Sequence, residues 1–291
     1  IYGFPSGASS ECNNGGSLFN YNLFAQLRNQ QIALQGDTTR FILKSWSPPA
    51  WMKYNNCTVG TSTYNTLIMD DILLPEEDPS ASWSLPAQPG APNSWARPLD
   101  RKQEYSEWLA AQALALYTFS GFWPDYISIA YEPTFKQPYA SMGLSPLQLK
   151  NQIIVTGKRF EKENIPTKLV ISEDLGFSDE WFNYADFVLQ NPSSKSYIDL
   201  LSFHHIRTFN PLSFNFDVLK NYITFQRHIR ASSYIRLQGN RPIWQTECSN
   251  FGYGQHGAIQ QAIIFNRELK YAKVSAELWW TTILSSGDGY V

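Results

Sequence analysis

From Phe41 to Trp280, short apolar runs alternate with longer segments of helical periodicity, and no hairpin interrupts the alternation. The runs are Phe41–Lys44, Tyr126–Glu132, Lys168–Ser172, Ile198–Phe203, Ile243–Glu247 and Ala276–Trp280. Helical spacing is read over Ser17–Gln35, Arg101–Phe119, Pro146–Glu163, Asp179–Leu189, Phe216–Ile229 and Gln255–Tyr271. Strands joined only by helices must run parallel, and right-handed crossovers let such a sheet close on itself. The expected fold is therefore α/β, a (β/α)8 TIM barrel. Six strands are legible, so one or two early strands of the eight are expected to precede Ile1. At 291 residues with 43% hydrophobic content, the chain is long enough for a single barrel domain over 1–291.

Two segments break the alternation. Residues 1–17 are rich in Gly, Asn and Ser and read as a loop. Residues 54–98 are rich in Pro, Ser, Asn and Thr, with Trp83 and Trp95 embedded. A connection of that length usually serves a function, and its aromatics argue against a disordered linker. It is expected to be an ordered insertion that walls a cleft at the C-terminal face of the barrel. Just before it, Trp46-Ser-Pro-Pro-Ala-Trp51 halts regular structure after a strand and presents two indoles.

Composition narrows the partners. The 23 basic and 25 acidic residues are interspersed and leave a net charge of −2, which offers no electrostatic footprint for nucleic acid or an anionic membrane. No apolar run is long enough to span a bilayer. Aromatics reach 15%, including 10 Trp, and flat rings pack against the CH faces of sugars as well as in cores. Three cysteines are too few for a disulfide scaffold and lack zinc-site spacing. Cys12 and Cys57 both lie in loop-like sequence, so that pairing is favoured over three free thiols. Asn56-Cys57-Thr58 is an N-glycosylation sequon that would suit a secreted loop.

The chemistry is expected where apolar runs stop. Glu132 ends one run and Glu247 another, and carboxylates leaving the C-terminal ends of barrel strands line the active site. A lone glutamate in such a place is more often a solvated or capping group; two of them, three βα units apart, are a pair. Glu173 and Asp174 follow a third run, and either bind a sugar hydroxyl or cap the next helix. His204 and His205 follow a fourth and are candidates for substrate binding or for orienting a carboxylate. Trp46, Trp51, Trp279 and Trp280 are candidate sugar platforms, with packing as the alternative for each. Cys248 reads as a small buried hydrophobe with no base nearby.

Lys44-Ser-Trp-Ser-Pro-Pro-Ala-Trp-Met-Lys53, Pro124-Asp-Tyr-Ile-Ser-Ile-Ala-Tyr-Glu132-Pro133 and Ile243-Trp-Gln-Thr-Glu247-Cys-Ser249 together resemble glycoside hydrolase family 30, a group of retaining barrel enzymes. Leu200-Leu-Ser-Phe-His204 and Leu278-Trp279-Trp280 add weaker likeness. The resemblance implies that Glu132 is the acid/base and Glu247 the nucleophile of a double displacement on a β-linked polysaccharide or glycoside. It implies no metal and no organic cofactor, and a secreted protein. In one place the chain departs from the family: Tyr131 stands where an Asn is expected before the acid/base. A phenol cannot reproduce the two N–H donors of an amide. A catalytically silent barrel that binds polysaccharide, or an assembly subunit, is the alternative reading, and Tyr131 is its sign.

Overall fold

The computed structural model describes residues 21–36, 39–59, 64–69, 100–134, 140–206, 226–234, 239–249 and 254–279. Six strands, β1 (Ile42–Lys44), β2 (Tyr126–Ser128), β3 (Lys168–Leu175), β4 (Ile198–Ile206), β5 (Ile243–Ser249) and β6 (Ala276–Trp279), follow one another in chain order across one sheet. Each described pairing is parallel. Helices α1 (Tyr21–Gln35), α2 (Lys102–Ser120), α3 (Pro146–Lys162), α4 (Asp179–Gln190), α5 (Pro192–Tyr197), α6 (helical over 226–234) and α7 (Gly254–Arg267) supply the connections. This is a mixed α/β architecture, a parallel sheet with helical crossovers as in an incomplete (β/α)8 barrel. Among the described residues no helix is long and apolar enough to cross a membrane.

Contacts divide the chain into two compact units: residues 1–170 with 187–198, and residues 171–186 with 199–291. In the first unit the strongest local signals are those of α2 and α3. Tyr105, Leu109, Ala113 and Leu116 recur at helical spacing on α2 and are all buried. Gly121 ends α2 in the left-handed region at φ 80°, and its N–H reaches the Tyr117 carbonyl. Ser145 and Gln148 form a capping box at the start of α3, with Pro146 in its first turn. The two helices meet through a buried polar seam in which Gln152 Nε2 donates to Lys102 O, Ser106 Oγ and Thr156 Oγ1 at 2.9–3.1 Å. Helix α5, absent from the sequence expectation, is capped by Asn191, and its last residue, Tyr197, lies over Gly157 of α3.

β1 and β2 are shorter than the apolar runs that predicted them, whereas three later strands are longer. β3, β4 and β5 continue two or three positions past the ends of those runs, to Leu175, Ile206 and Ser249. Glu173, Asp174, His204, His205 and Glu247 therefore lie within strands, not beyond their ends. Polar residues extend these ladders because each has buried partners, so a change to polar sequence was misread as a strand end. The expectation that Glu173 or Asp174 caps the next helix is corrected: Ser178 Oγ accepts from Trp181 N at the start of α4 instead. Of the 54–98 insertion only 54–59 and 64–69 are described. They pair in isolated bridges, Lys53 with Leu67, Val59 with Ala140 and Thr66 with Gly143.

Candidate active site

In the first unit, β1 and β2 place Lys44, Tyr131 and Glu132. The Tyr105 hydroxyl from α2 reaches the Ile129 carbonyl at 2.5 Å and Ser45 Oγ at 2.8 Å, tying the segments that leave both strands. Burial holds that phenol well above its usual range, so it stays a neutral donor. Tyr131 is 1% exposed and stacks on Trp46 at 4.6 Å with planes 19° apart. The Lys44 ammonium lies 5.6 Å from the Tyr131 ring centre. Glu132 follows, 1% exposed, with φ 46°. A buried glutamate in left-handed backbone is costly to maintain, and such strain concentrates at functional positions.

The Trp-Ser-Pro-Pro-Ala-Trp turn becomes one 3-10 turn, Ala50–Met52. Trp51 remains 43% exposed, with the Arg101 guanidinium 5.1 Å from its ring. Lys53 is buried and donates to Ser47 Oγ, Thr58 O and Ser141 O, holding three loops together, and burial lowers its pKa to about 7. Asn56 is exposed at φ 47°, and Cys57 is disulfide-bonded. Cys12 lies outside the described residues.

In the second unit the decisive feature is an irregularity in β5. Phe203 pairs with Gln245 and His204 with Glu247, so Thr246 is an extra residue on the bulged strand. Side chains on a regular strand alternate, which would put Gln245 and Glu247 on one face. They are on opposite faces. Gln245 Nε2 donates to Glu268 Oε2 at 2.9 Å, toward the helices, whereas Thr246 Oγ1 donates to Glu173 Oε1 at 2.5 Å. Glu247 joins Thr246 on that second side, with an oxygen within 4.8 Å of a ring nitrogen of His204. Cys248 then returns to the helix side, packed with Ile264 and Phe265.

Glu173, His204 and Glu247 are thus clustered, 0%, 0% and 2% exposed. His204 Nε2 lies 3.7 Å from Glu173 Oε1. Ser202 Oγ accepts from Glu173 N and donates to Ile171 O, both at 3.2 Å, fixing β3 to β4 beside the cluster. Glu173 itself has φ 49°. Asp174 faces α4, where its charge joins burial in raising the Tyr184 phenol. His205 differs from the expectation of a substrate contact: alternation turns it to the helix side, where Nδ1 meets Glu268 Oε1 at 2.6 Å. Burial, then the charge of Glu268, pushes the Cys248 thiol up, so it is no nucleophile. Trp279 is 43% exposed at the end of β6; Trp280 lies outside the described residues. Glu268 was missed by sequence reading, and only its place after an amphipathic helix hints at burial.

The sequence matches no protein-family description and no curated protein. Solved structures do match. A family 30, subfamily 8 xylanase from Clostridium acetobutylicum superposes with a TM-score of 0.57 at 16% identity, over 94% of this chain and 55% of its own. The likeness shows the fold. The catalytic domain of a family 30 xylanase C from Talaromyces cellulolyticus gives 0.56 at 18%, over 90% and 52%. An endo-β1,6-glucanase gives 0.57 at 13%, over 95% and 54%. The chain spans about half the length of the structures it matches.

Proposed function

We propose that this chain carries the catalytic centre of a retaining β-glycosidase of the family 30 type. The observation that carries the reading is the placement of Glu247. A bulge turns it away from the helices, into a buried cluster with His204 and Glu173, inside the sequence motif that resembles the family's nucleophile strand. Glu132, buried in left-handed backbone at the end of the other motif, is the partner acid/base. The fold likeness to xylanases and a β-1,6-glucanase supports this reaction class.

In the proposed reaction the Glu132 carboxylic acid gives its proton to the departing glycosidic oxygen as the Glu247 carboxylate bonds to the anomeric carbon. The product is a glycosyl ester of Glu247. Glu132, now a carboxylate, takes a proton from water, whose oxygen displaces Glu247 and restores the β configuration. Such double displacement calls for carboxyls about 5–5.5 Å apart. Trp46, Trp51, Tyr131, Glu173, His204, Trp279 and Trp280 are the proposed substrate contacts. Trp51 and Trp279 have the exposure a sugar platform needs, and Tyr131 acts mainly through its stack beneath Trp46. Secretion fits a disulfide at Cys57, a bond that persists in oxidising compartments, and exposed Asn56 is the proposed glycosylation site.

Reducing-sugar release should be measured on xylan, β-1,6-glucan, β-galactan and a glucosylated lipid. Release on at least one, lowered by about 10³-fold or more in Glu247→Gln and in Glu132→Gln, is the expected result. Binding without turnover by the intact protein would establish the silent-barrel alternative and overturn the proposal.

A further inference from the structure

Glu268 is a buried carboxylate of the second unit that bonds to two neighbouring strands at once. It opens a π-helical turn, Glu268–Ala272, directly after α7, and is 0% exposed. Its Oε1 meets His205 Nδ1 of β4 at 2.6 Å, and its Oε2 accepts from Gln245 Nε2 of β5 at 2.9 Å. The register slips between Phe203 and His204 on β4 and between Gln245 and Cys248 on β5; Gln245 immediately precedes its slip, and His205 lies one residue beyond His204. On the other face of the sheet, Thr246 bonds to Glu173. The bulge of β5 is therefore held on one face through Thr246 and on the other through Gln245.

From this geometry we infer that Glu268 is a positioning residue for Glu247, clamping His205 and Gln245 so that β5 keeps its extra residue and Glu247 stays on the face of His204. The inference rests on the proposed role of Glu247 but concerns the register of β5, which is measurable without turnover. A π turn begins at this residue, and π turns inserted in helices recur at functional sites. Leaving a carboxylate so deeply buried is costly, and its retention with two fixed donors fits a part that specifies one arrangement over another. Around it stand His205 from β4, Gln245 and Cys248 from β5 and Glu277 from β6, so the clamp has a built-in reporter. Cys248, 0% exposed, lies on the helix side only while the bulge is in place. If β5 relaxes to plain alternation past Gln245, Glu247 turns to the helices and Cys248 turns away from them.

The test is alkylation of the native full chain with iodoacetamide, following the Cys248 peptide by mass spectrometry at zero and low urea. Wild type should label slowly. Glu268→Ala should label at least 10-fold faster, at a rate insensitive to low urea, as local opening requires. The exchanged pair Gln245→Glu with Glu268→Gln should restore slow labelling, and His205→Asn, which keeps a donor at a similar reach, should remain near wild type. Where a glycan substrate has been found, kcat should fall in Glu268→Ala with KM little changed. Protection of Cys248 in Glu268→Ala equal to wild type overturns the inference, as does fast labelling that climbs steeply with urea, which marks global unfolding. If Glu268→Ala does not fold, the exchanged pair and His205→Phe carry the same comparison: His205→Phe must label faster than His205→Asn. Failure of the glycosidase reading would leave the labelling result intact.

Discussion

Glu277 of β6 sits within the field of Glu268. Burial first, then the Glu268 charge, raises the Glu277 carboxyl from its ordinary 4.5 to about 7. Below 4.5 the group is protonated whether the chain is folded or not, and its contribution to stability is fully present. As pH rises from 4.5 through about 7 the unfolded chain releases this proton and the folded chain holds it, so stability falls across that window. The thermal midpoint of Glu277→Gln should therefore exceed that of wild type at pH 7.5 and approach it at pH 4.5. Parallel midpoint curves for the two proteins would show that Glu277 titrates normally. The same scale explains Tyr131. The residue that the family resemblance sets in place of an amide is 1% exposed, with its ring stacked on Trp46.

Among the elements, α3 carries an instructive contradiction. A glycine in a helix interior costs about 1 kcal/mol relative to alanine, yet Gly157 occupies the middle of α3. A Cβ there would lie 2.2–2.4 Å from ring atoms of Tyr197, including the Cγ that cannot swing away freely. Close approach of α5 to α3 thus requires the missing side chain. Gly157→Ala should destabilise the protein by roughly 1–3 kcal/mol, as overpacking does. In a Tyr197→Ala background the same change should instead stabilise, by up to about 1 kcal/mol. Urea denaturation of the four proteins reads the sign directly, and a stabilising Gly157→Ala in the wild-type background would contradict the packing account.

For the whole molecule, the parallel α/β order was legible because each helix and strand kept its own period and the two alternated without hairpins. Six runs from Phe41 onward became six strands. The positions of the chemical groups were less legible. β3 and β5 carry Glu173 and Glu247 inside the ladder, where buried polar partners replace apolar ones, and no periodicity marks a polar residue that has a buried partner. His204 and His205 were read together because they are adjacent, and contact with Glu268 separates His205 from its neighbour. Helix α5, with its Pro-Ser-Ser start, resembled a loop. The thiols give a test at this scale. Cys57 is disulfide-bonded and Cys248 is free and buried, so dithiothreitol should lower the thermal midpoint through a loss of about 2–5 kcal/mol while Cys248 stays slow to alkylate. Rapid alkylation of Cys248 on reduction would mean that the second unit depends on that bond.

The extra residue at Thr246 divides β5 into two reading frames. Upstream, odd-numbered positions such as Gln245 look toward the helices; downstream, Glu247 looks away and Cys248 takes the place its odd-numbered neighbours had. The strand is thus written in one parity for packing and in the other for chemistry, with a single residue as the punctuation. A relative that lacks this bulge would need a one-residue gap within the strand to keep both halves in register, and a chain without Thr246 would present the same carboxylate through uninterrupted alternation.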